Sequence, residues 1–240
     1  MSPLNSLVSK NFAVATTFPK TSTEGLVLHL DAGNRTSYSG SGTTWKDLSG
    51  KGNDVTLTGG PTYNNSNDGN IVFDGSNDYA DFFAPNLGTT TTVEMWCKIG
   101  SLYSGKMFFG WNLQSVWCGN GHLGYNTALS DVYGISSTTV TNLGLVNNWK
   151  HYVFEMRSDV SYVNNKIYVN ASSQSLSQQL GSEDATNRNF NSGSGRIAVW
   201  RANTNYAMPM NCAVFKVYNR ALTTTEIRQN FQALRRRFGV

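Results

Sequence analysis

NCAVFKVYNRALTTTEIRQNFQALRRRF, residues 211–238, reads as a strand, a tight exit and a capped helix, and the rest of the chain can be placed around it. Ala213, Phe215 and Val217 alternate with Val214, Lys216 and Tyr218, the period of two that puts one set of side chains on each sheet face. That is the pattern of a half-buried strand. Thr223 precedes Glu226 by three residues, the spacing of a capping box in which each side chain takes up an orphan amide of the other residue. Leu222 and Ile227 stand at the two staple positions, and Phe231 and Leu234 extend the apolar stripe at helical spacing. Arg235, Arg236 and Arg237 crowd the far end, where the helix dipole favours positive charge. Contact with a phosphate or acidic partner is the second reading of that run; nucleic-acid binding is not expected.

Composition bounds the rest. A chain of 240 residues is long enough for two small domains, but β-sandwiches of this length are routinely one. Hydrophobic residues make up 39% of the chain and aromatic ones 12%, enough for a core, and 23 glycines suit a turn-rich all-β protein. A charged fraction of 14% argues against a disordered chain, and the net charge of +4 is modest. Residues 1–18 lack a continuous apolar stretch after their lysine, so no signal peptide is expected, and no run approaches a membrane span. The three cysteines, Cys97, Cys118 and Cys212, are odd in number and without metal-ligand spacing; buried free thiols are expected.

Residues 1–24 form an N-terminal arm ahead of a domain at 25–240. Its apolar residues, among them Phe12, Val14 and Phe18, have neither helix nor strand periodicity, and they need burial on the chain's own domain or on a neighbouring subunit. Leu26, Leu28 and Leu30 give the first strand. Trp45 and Leu48 anchor the Gly- and Asn-rich excursion that follows. Residues 71–73 and 79–83 flank Asp74-Gly75-Ser76-Asn77-Asp78, whose Asp-Gly step predicts a hairpin. Residues 91–99 set Val93, Met95, Cys97 and Ile99 inward and Glu94, Trp96 and Lys98 on the other face. Further strands are expected at 107–110, 113–117, 149–156, 166–169 and 197–200, with a weak strand and a long surface loop over 172–194.

VYNRALTTTEIRQNF resembles the closing strand and helix of the concanavalin A-like (laminin G-like) jelly-roll superfamily. GLVLHLDAGN at 25–34, TTWKDLSGKGND at 43–54 and IVFDGSNDYADF at 71–82 resemble the opening of the same modules, in the same order. The resemblance spans residues 25–238. It implies an all-β, two-sheet antiparallel jelly-roll sandwich with a short C-terminal helix, in which the first strand lies beside the closing strand 212–218.

Three chemistries follow from that resemblance. The superfamily includes β-glucanases, which place two carboxylates about a glycosidic bond. Their Glu-x-Asp-x-x-Glu pattern is absent here; Glu94, or Glu155 with Asp159, are the nearest substitutes, and no enzymatic activity is expected. Many relatives bind calcium at loops on one sandwich edge, for which Asp74, Asn77 and Asp78, with Asp31, Asp47, Asn53 and Asp54 nearby, supply oxygen ligands. The same residues also make ordinary Asx turns. Glycan binding needs apolar ring faces among amides. Trp111, Asn112, Trp117, Asn120, His122 and Tyr125 sit in the densest aromatic run, where core packing is the competing reading.

The chain is also similar to jelly-roll proteins encoded by tailed bacteriophages, in which the module decorates capsids or forms fibre and adhesion parts. This implies a non-enzymatic virion surface protein, made in a host cytoplasm, homo-oligomeric, and partnered by other virion proteins through the arm and sheet faces. A carbohydrate-binding adhesion module for host surface glycans is the alternative.

Overall fold

The computed structural model describes residues 20–102, 105–126, 131–181, 190, 193–201 and 203–240. Phe12, Val14 and Phe18 of the expected arm lie outside these residues. In chain order the strands are β1 (Leu26–Asp31), β2 (Thr44–Trp45), β3 (Val55–Thr58), β4 (Thr62–Asn64), β5 (Asn70–Asp74), β6 (Tyr79–Phe83), β7 (Thr90–Ile99), β8 (Lys106–Gly110), β9 (Ser115–Gly119), β10 (His122–Tyr125) and β11 (Val132–Ile135). After helix α1 (Ser137–Asn142) come β12 (Trp149–Arg157), β13 (Lys166–Val169), β14 (Ser172–Ser173), β15 (Ser177–Leu180), β16 (Ser194–Ile197) and β17 (Pro209–Tyr218), and the chain closes on α2 (Thr224–Leu234).

All the strand pairs are antiparallel, and they make two facing sheets. One runs β14-β13-β12-β7-β17-β5-β4, with β1 also on β17; the other runs β15-β11-β10-β9-β8-β16-β6-β3-β2. β17 is the centre of the first: β7 flanks it along one side, and β5 and then β1 share the other. The two ends of the domain are therefore zipped together, Leu30 opposite Phe215 and Leu28 opposite Val217. Between the sheets lie Trp45, Phe73, Phe108, Phe109, Trp111, Phe154 and Phe215, all at most 1% exposed. Their rings meet edge to face, as Phe82 and Trp111 do at 5.4 Å. Cys97, Cys118 and Cys212 are free thiols within this core, and burial pushes each thiol up from its ordinary range.

The decisive stretch behaves as read, with two corrections. A bulge between Cys212 and Val214 turns Ala213 outward beside Val214, so it leaves the face of Phe215 and Val217. Nor is β17 half-buried, because α2 covers its outer face and Lys216 and Tyr218 are fully buried. Thr223 Oγ1 accepts from the Glu226 N–H and Glu226 accepts from the Thr223 N–H, completing the capping box. Leu222 and Ile227 then pack on Val153, Tyr168 and Tyr218, and Phe231 and Phe238 stack on Trp96. Arg237 is spent on Asp31, 2.8 Å away, and on the Asn67 and Gly69 carbonyls.

The segment 74–78 brings a third correction. It reverses the chain, but β5 belongs to one sheet and β6 to the other, so the turn crosses between layers and closes no hairpin. Gly75 holds φ +80°, and a Cβ there would meet the Pro209 ring at 2.7 Å. β10, β11 and α1 were not anticipated, and in the polar stretch 172–194 two short strands, β14 and β15, are formed. The last residues of the arm lie on α2: the Ser22 N–H donates to Asn230 Oδ1 at 2.7 Å and Ser22 Oγ to Glu226 Oε1 at 2.7 Å.

Candidate binding site at one end of the sandwich

Asn120 and Gly121 join β9 to β10 with φ of +49° and +82°, the two left-handed residues of a type I′ hairpin turn. The Gly121 N–H donates to the Leu102 carbonyl at 3.0 Å, tying this turn to the segment that leaves β7. A Cβ on Gly121 would stand 3.2 Å from the Ser137 Cβ, so glycine lets α1 seat closely. Ser136 caps α1 through the Thr139 N–H, and His122 Nδ1 accepts the Ser137 N–H at 3.0 Å. Burial holds the His122 ring below its ordinary range, so it is neutral at neutral pH. Beyond α1, the Asn147 N–H donates to the Ile99 carbonyl at 2.8 Å and fixes Val146 and Asn147 against the end of β7.

These loops enclose an open groove of about 630 Å³. Leu102 and Val140 form a buried floor with Val146, while Asn120, Thr141 and Asn147 stand exposed at the rim and Ser101 and Ser137 line the walls. None of its ten lining residues is charged. A volume of this size suits a small ligand, with an apolar base and a few polar groups to orient it. A second cleft of about 500 Å³ lies beside β1, with Lys51 on its rim. Two of its polar side chains are turned inward: Asn53 Nδ2 donates to the Val27 carbonyl at 2.9 Å and Ser49 Oγ to Asp47 at 2.7 Å.

Of the six residues expected to hold glycans, Asn120 lines the groove and His122 supports it. Trp111 and Tyr125 are 0% and 1% exposed, with Trp111 Nε1 donating to the Gly193 carbonyl and the Tyr125 hydroxyl to the Glu155 and Lys166 carbonyls. Neither offers a ring face, because both point between the sheets. Trp117 is 6% exposed under a small outer cluster with Met107 and Val132, its Nε1 donating to the Asp131 carbonyl. Asn112 is exposed elsewhere, its carbonyl accepting from Trp200 Nε1. The residues that sequence reasoning missed are Leu102, Val140, Val146 and Asn147. The Asn120-Gly121 dipeptide between apolar runs was the signal that could have found this hairpin end.

The carboxylates of 74–78 are turned onto their own backbone. Asp74 Oδ1 accepts the Ser76 N–H at 2.7 Å, Asp78 Oδ2 accepts the Asp74 N–H at 3.0 Å, and Asn77 reaches the Gly59 carbonyl at 3.4 Å. Burial raises the Asp78 carboxyl. Asp47 accepts the His29, Ser49 and Asn53 amides, Asp54 accepts from Asp47, and Asp31 pairs with Arg237. This donor set fits Asx turns and ion pairs rather than a calcium cage. Among the described residues no three His, Cys, Asp or Glu side chains draw together as metal ligands.

Glu94 and Glu155 share the outer face of the β7–β12 pair, where Glu94 faces Val153 and Glu155 faces Thr92. Glu94 is sealed under α2. Lys216 Nζ donates to its Oε1 at 3.1 Å, His151 Nε2 stands 3.4 Å away, and Asn230 Nδ2 donates to Oε2. Burial pushes this carboxyl up, but Lys216, His151 and Asn230 together outweigh it and hold it at about 2. Glu155 is 4% exposed and pairs with Lys166 at 3.4 Å; Asp159 pairs with Arg157 at 3.1 Å.

The sequence profile of the concanavalin A-like lectin/glucanases superfamily, laminin G type, matches residues 74–228. No curated protein matches the chain. Among solved structures, the receptor-binding domain of botulinum neurotoxin C/D mosaic serotype superposes with a TM-score of 0.62 at 13% identity, covering 88% of this chain and 51% of that one. The binding domain of Paraclostridial mosquitocidal protein 1 gives 0.60 at 16% identity, covering 87% and 52%. The binding domain of botulinum neurotoxin DC in complex with rat synaptotagmin II gives 0.60 at 13%, covering 88% and 52%. The chain thus spans about half the length of these structures, and at such identities the likeness is one of fold. Two zipped antiparallel sheets and a profile match over more than half the sequence lead to one conclusion: the chain belongs to the concanavalin A-like lectin/glucanase superfamily.

Proposed function

We propose that the chain is a non-enzymatic attachment module of a tailed-bacteriophage virion surface, a capsid decoration protein or fibre component, that holds surface glycans in the groove between the 100–102, 120–121 and 137–147 segments. The groove carries the reading: it has a buried aliphatic floor, an exposed amide and hydroxyl rim and, among the described residues that line it, no carboxylate to cleave a bond. Similar folds serve as the receptor-binding domain of a botulinum neurotoxin and the binding domain of a mosquitocidal protein, which supports binding as the task of this architecture. The phage setting rests on the resemblance of the segments at 25–34, 45–50 and 219–239. Homo-oligomeric assembly through residues 1–24 and the sheet faces is part of the same proposal. No helix among the described residues is long and apolar enough to cross a membrane.

Binding of purified protein to whole host cells, competed by free sugars, tests the adhesive role, and addition to undecorated heads tests the decorative one. Release of reducing sugar from a polysaccharide would overturn the non-enzymatic reading.

A further inference from the structure

Among the described residues lining the groove, none offers an aromatic face on which a sugar ring can stack, and none carries a charge with which to hold an acidic one. Its floor is three aliphatic side chains: Leu102 and Val140, at 7% and 5% exposure, with the half-buried Val146. Aliphatic surface recognises a methyl group. The exposed Asn147 amide offers both donor and acceptor to hydroxyls and amides, and the Thr141 hydroxyl, which donates to the Ser137 carbonyl at 3.0 Å, keeps its acceptor lone pairs for a ligand. A carboxylate brought into the same place would lose part of its water without gaining a cation from the described lining, which disfavours it. The chain does not lack such cations: it has 19 Lys and Arg residues, yet none among the described residues lines this groove, while Lys51 borders the other cleft. Both Asn120 and Asn147 hold left-handed backbones, at φ +49° and +59°, a conformation that asparagine adopts more readily than most residues.

From this we propose, resting on the glycan reading above, that the groove selects a neutral sugar bearing a methyl group, an N-acetylhexosamine or a 6-deoxyhexose, with the methyl on Leu102, Val140 and Val146 and the ring hydroxyls on the rim. The class is set by discrimination on two sides. A methyl seated in a fitted apolar pocket is worth about tenfold over its absence, and an acidic sugar meets no compensating charge.

The test is titration of the intact protein, by calorimetry or saturation-transfer NMR, with N-acetylglucosamine against glucose, with a 6-deoxyhexose against its 6-hydroxy parent, and with sialylated and uronic-acid oligosaccharides. The inference predicts about tenfold tighter binding of each methyl-bearing sugar. It also predicts affinity unchanged from about 50 mM to about 500 mM salt, because no ion pair is made. Val140→Ala, a mild truncation, reduces the preference for the methyl-bearing member. Thr141→Trp, at an exposed position of α1, blocks the mouth and abolishes binding while the melting temperature stays near that of the parent protein. Preferred binding of acidic sugars, or methyl discrimination untouched by Val140→Ala, overturns this inference and leaves the glycan reading standing. Failure of every sugar to bind removes the glycan reading itself.

Discussion

The outer face of β7, β12 and β17 and the loop-end groove both gather polar groups, and they put them to opposite uses. Under α2, Glu94, Lys216, His151 and Asn230 are all 0% exposed and held against one another. In the groove the polar groups are uncharged and stand at the mouth. A buried charge is tolerated only when paired and hydrogen-bonded, so the first region is committed to cohesion; a rim that faces solvent over an apolar floor is free to exchange water for ligand. Residue type alone would have assigned the chemistry to the wrong region, since Glu94 and His151 look more catalytic than Val140 or Asn147. Accessibility decides.

The comparison can be broken most sharply at Lys216. Lys216→Met leaves the Glu94 carboxylate without its cation inside the protein and is expected to remove about 3–5 kcal/mol of stability by denaturant titration. The double variant Glu94→Gln, Lys216→Met should recover most of that loss, because neither charge is then stranded; no recovery would mean that the pair is not what holds α2. Trp111→Ala should be about as damaging, roughly 3–5 kcal/mol from the lost burial and the cavity left behind, as befits a core residue rather than a ring presented to sugars.

Acid sharpens the same contrast. Burial and the nearby Lys216 lower His29 to about 4, so as pH falls below 6.5 the unfolded chain takes up a proton that the folded one refuses. Glu94, held at about 2, contributes stability that is fully present above its unfolded value of 4.5 and is lost as pH falls toward 2. Both act in one direction: the melting temperature should drop steadily between about pH 6.5 and about pH 2. Glu94→Gln should flatten the lower part of that curve. A smaller effect, about 1 kcal/mol, is expected for Thr223→Ala, which removes the α2 cap. Substitution of Asn147 by Ser should change stability by no more than about 1 kcal/mol while weakening ligand binding, since the residue stands exposed at the rim.

Much of this architecture is legible in the sequence. Period-two alternation in 213–218 and the Thr223–Glu226 spacing are local rules, and local rules hold wherever the chain goes. What was not legible depends on neighbours distant in sequence. The bulge at Ala213 is a property of the pairing between β17 and β7, and nothing in the residues 211–218 announces it. The Asp74–Asp78 turn was recognised as a reversal, but Asp-Gly chemistry fixes a bend and not which strands flank it in the same sheet. Trp111 and Tyr125 were rightly marked as an aromatic concentration and wrongly offered as ring faces, because hydrophobicity does not say which side of a two-layer fold a ring will take. For the groove, only Asn120 and His122 were named. Its floor comes from residues 102, 140 and 146, brought together by two loops and a six-residue helix that periodicity does not detect.

The most direct test of the account is residue-resolved chemical-shift mapping of the full chain titrated with N-acetylglucosamine. The account predicts saturable shifts at the amides of Leu102, Asn120, Gly121, Val140 and Asn147, with those of Glu94, His151, Trp111 and Lys216 unmoved. Shifts centred on β7 and β12 beneath α2, or on the cleft beside Lys51, with the loop-end amides silent, would contradict it.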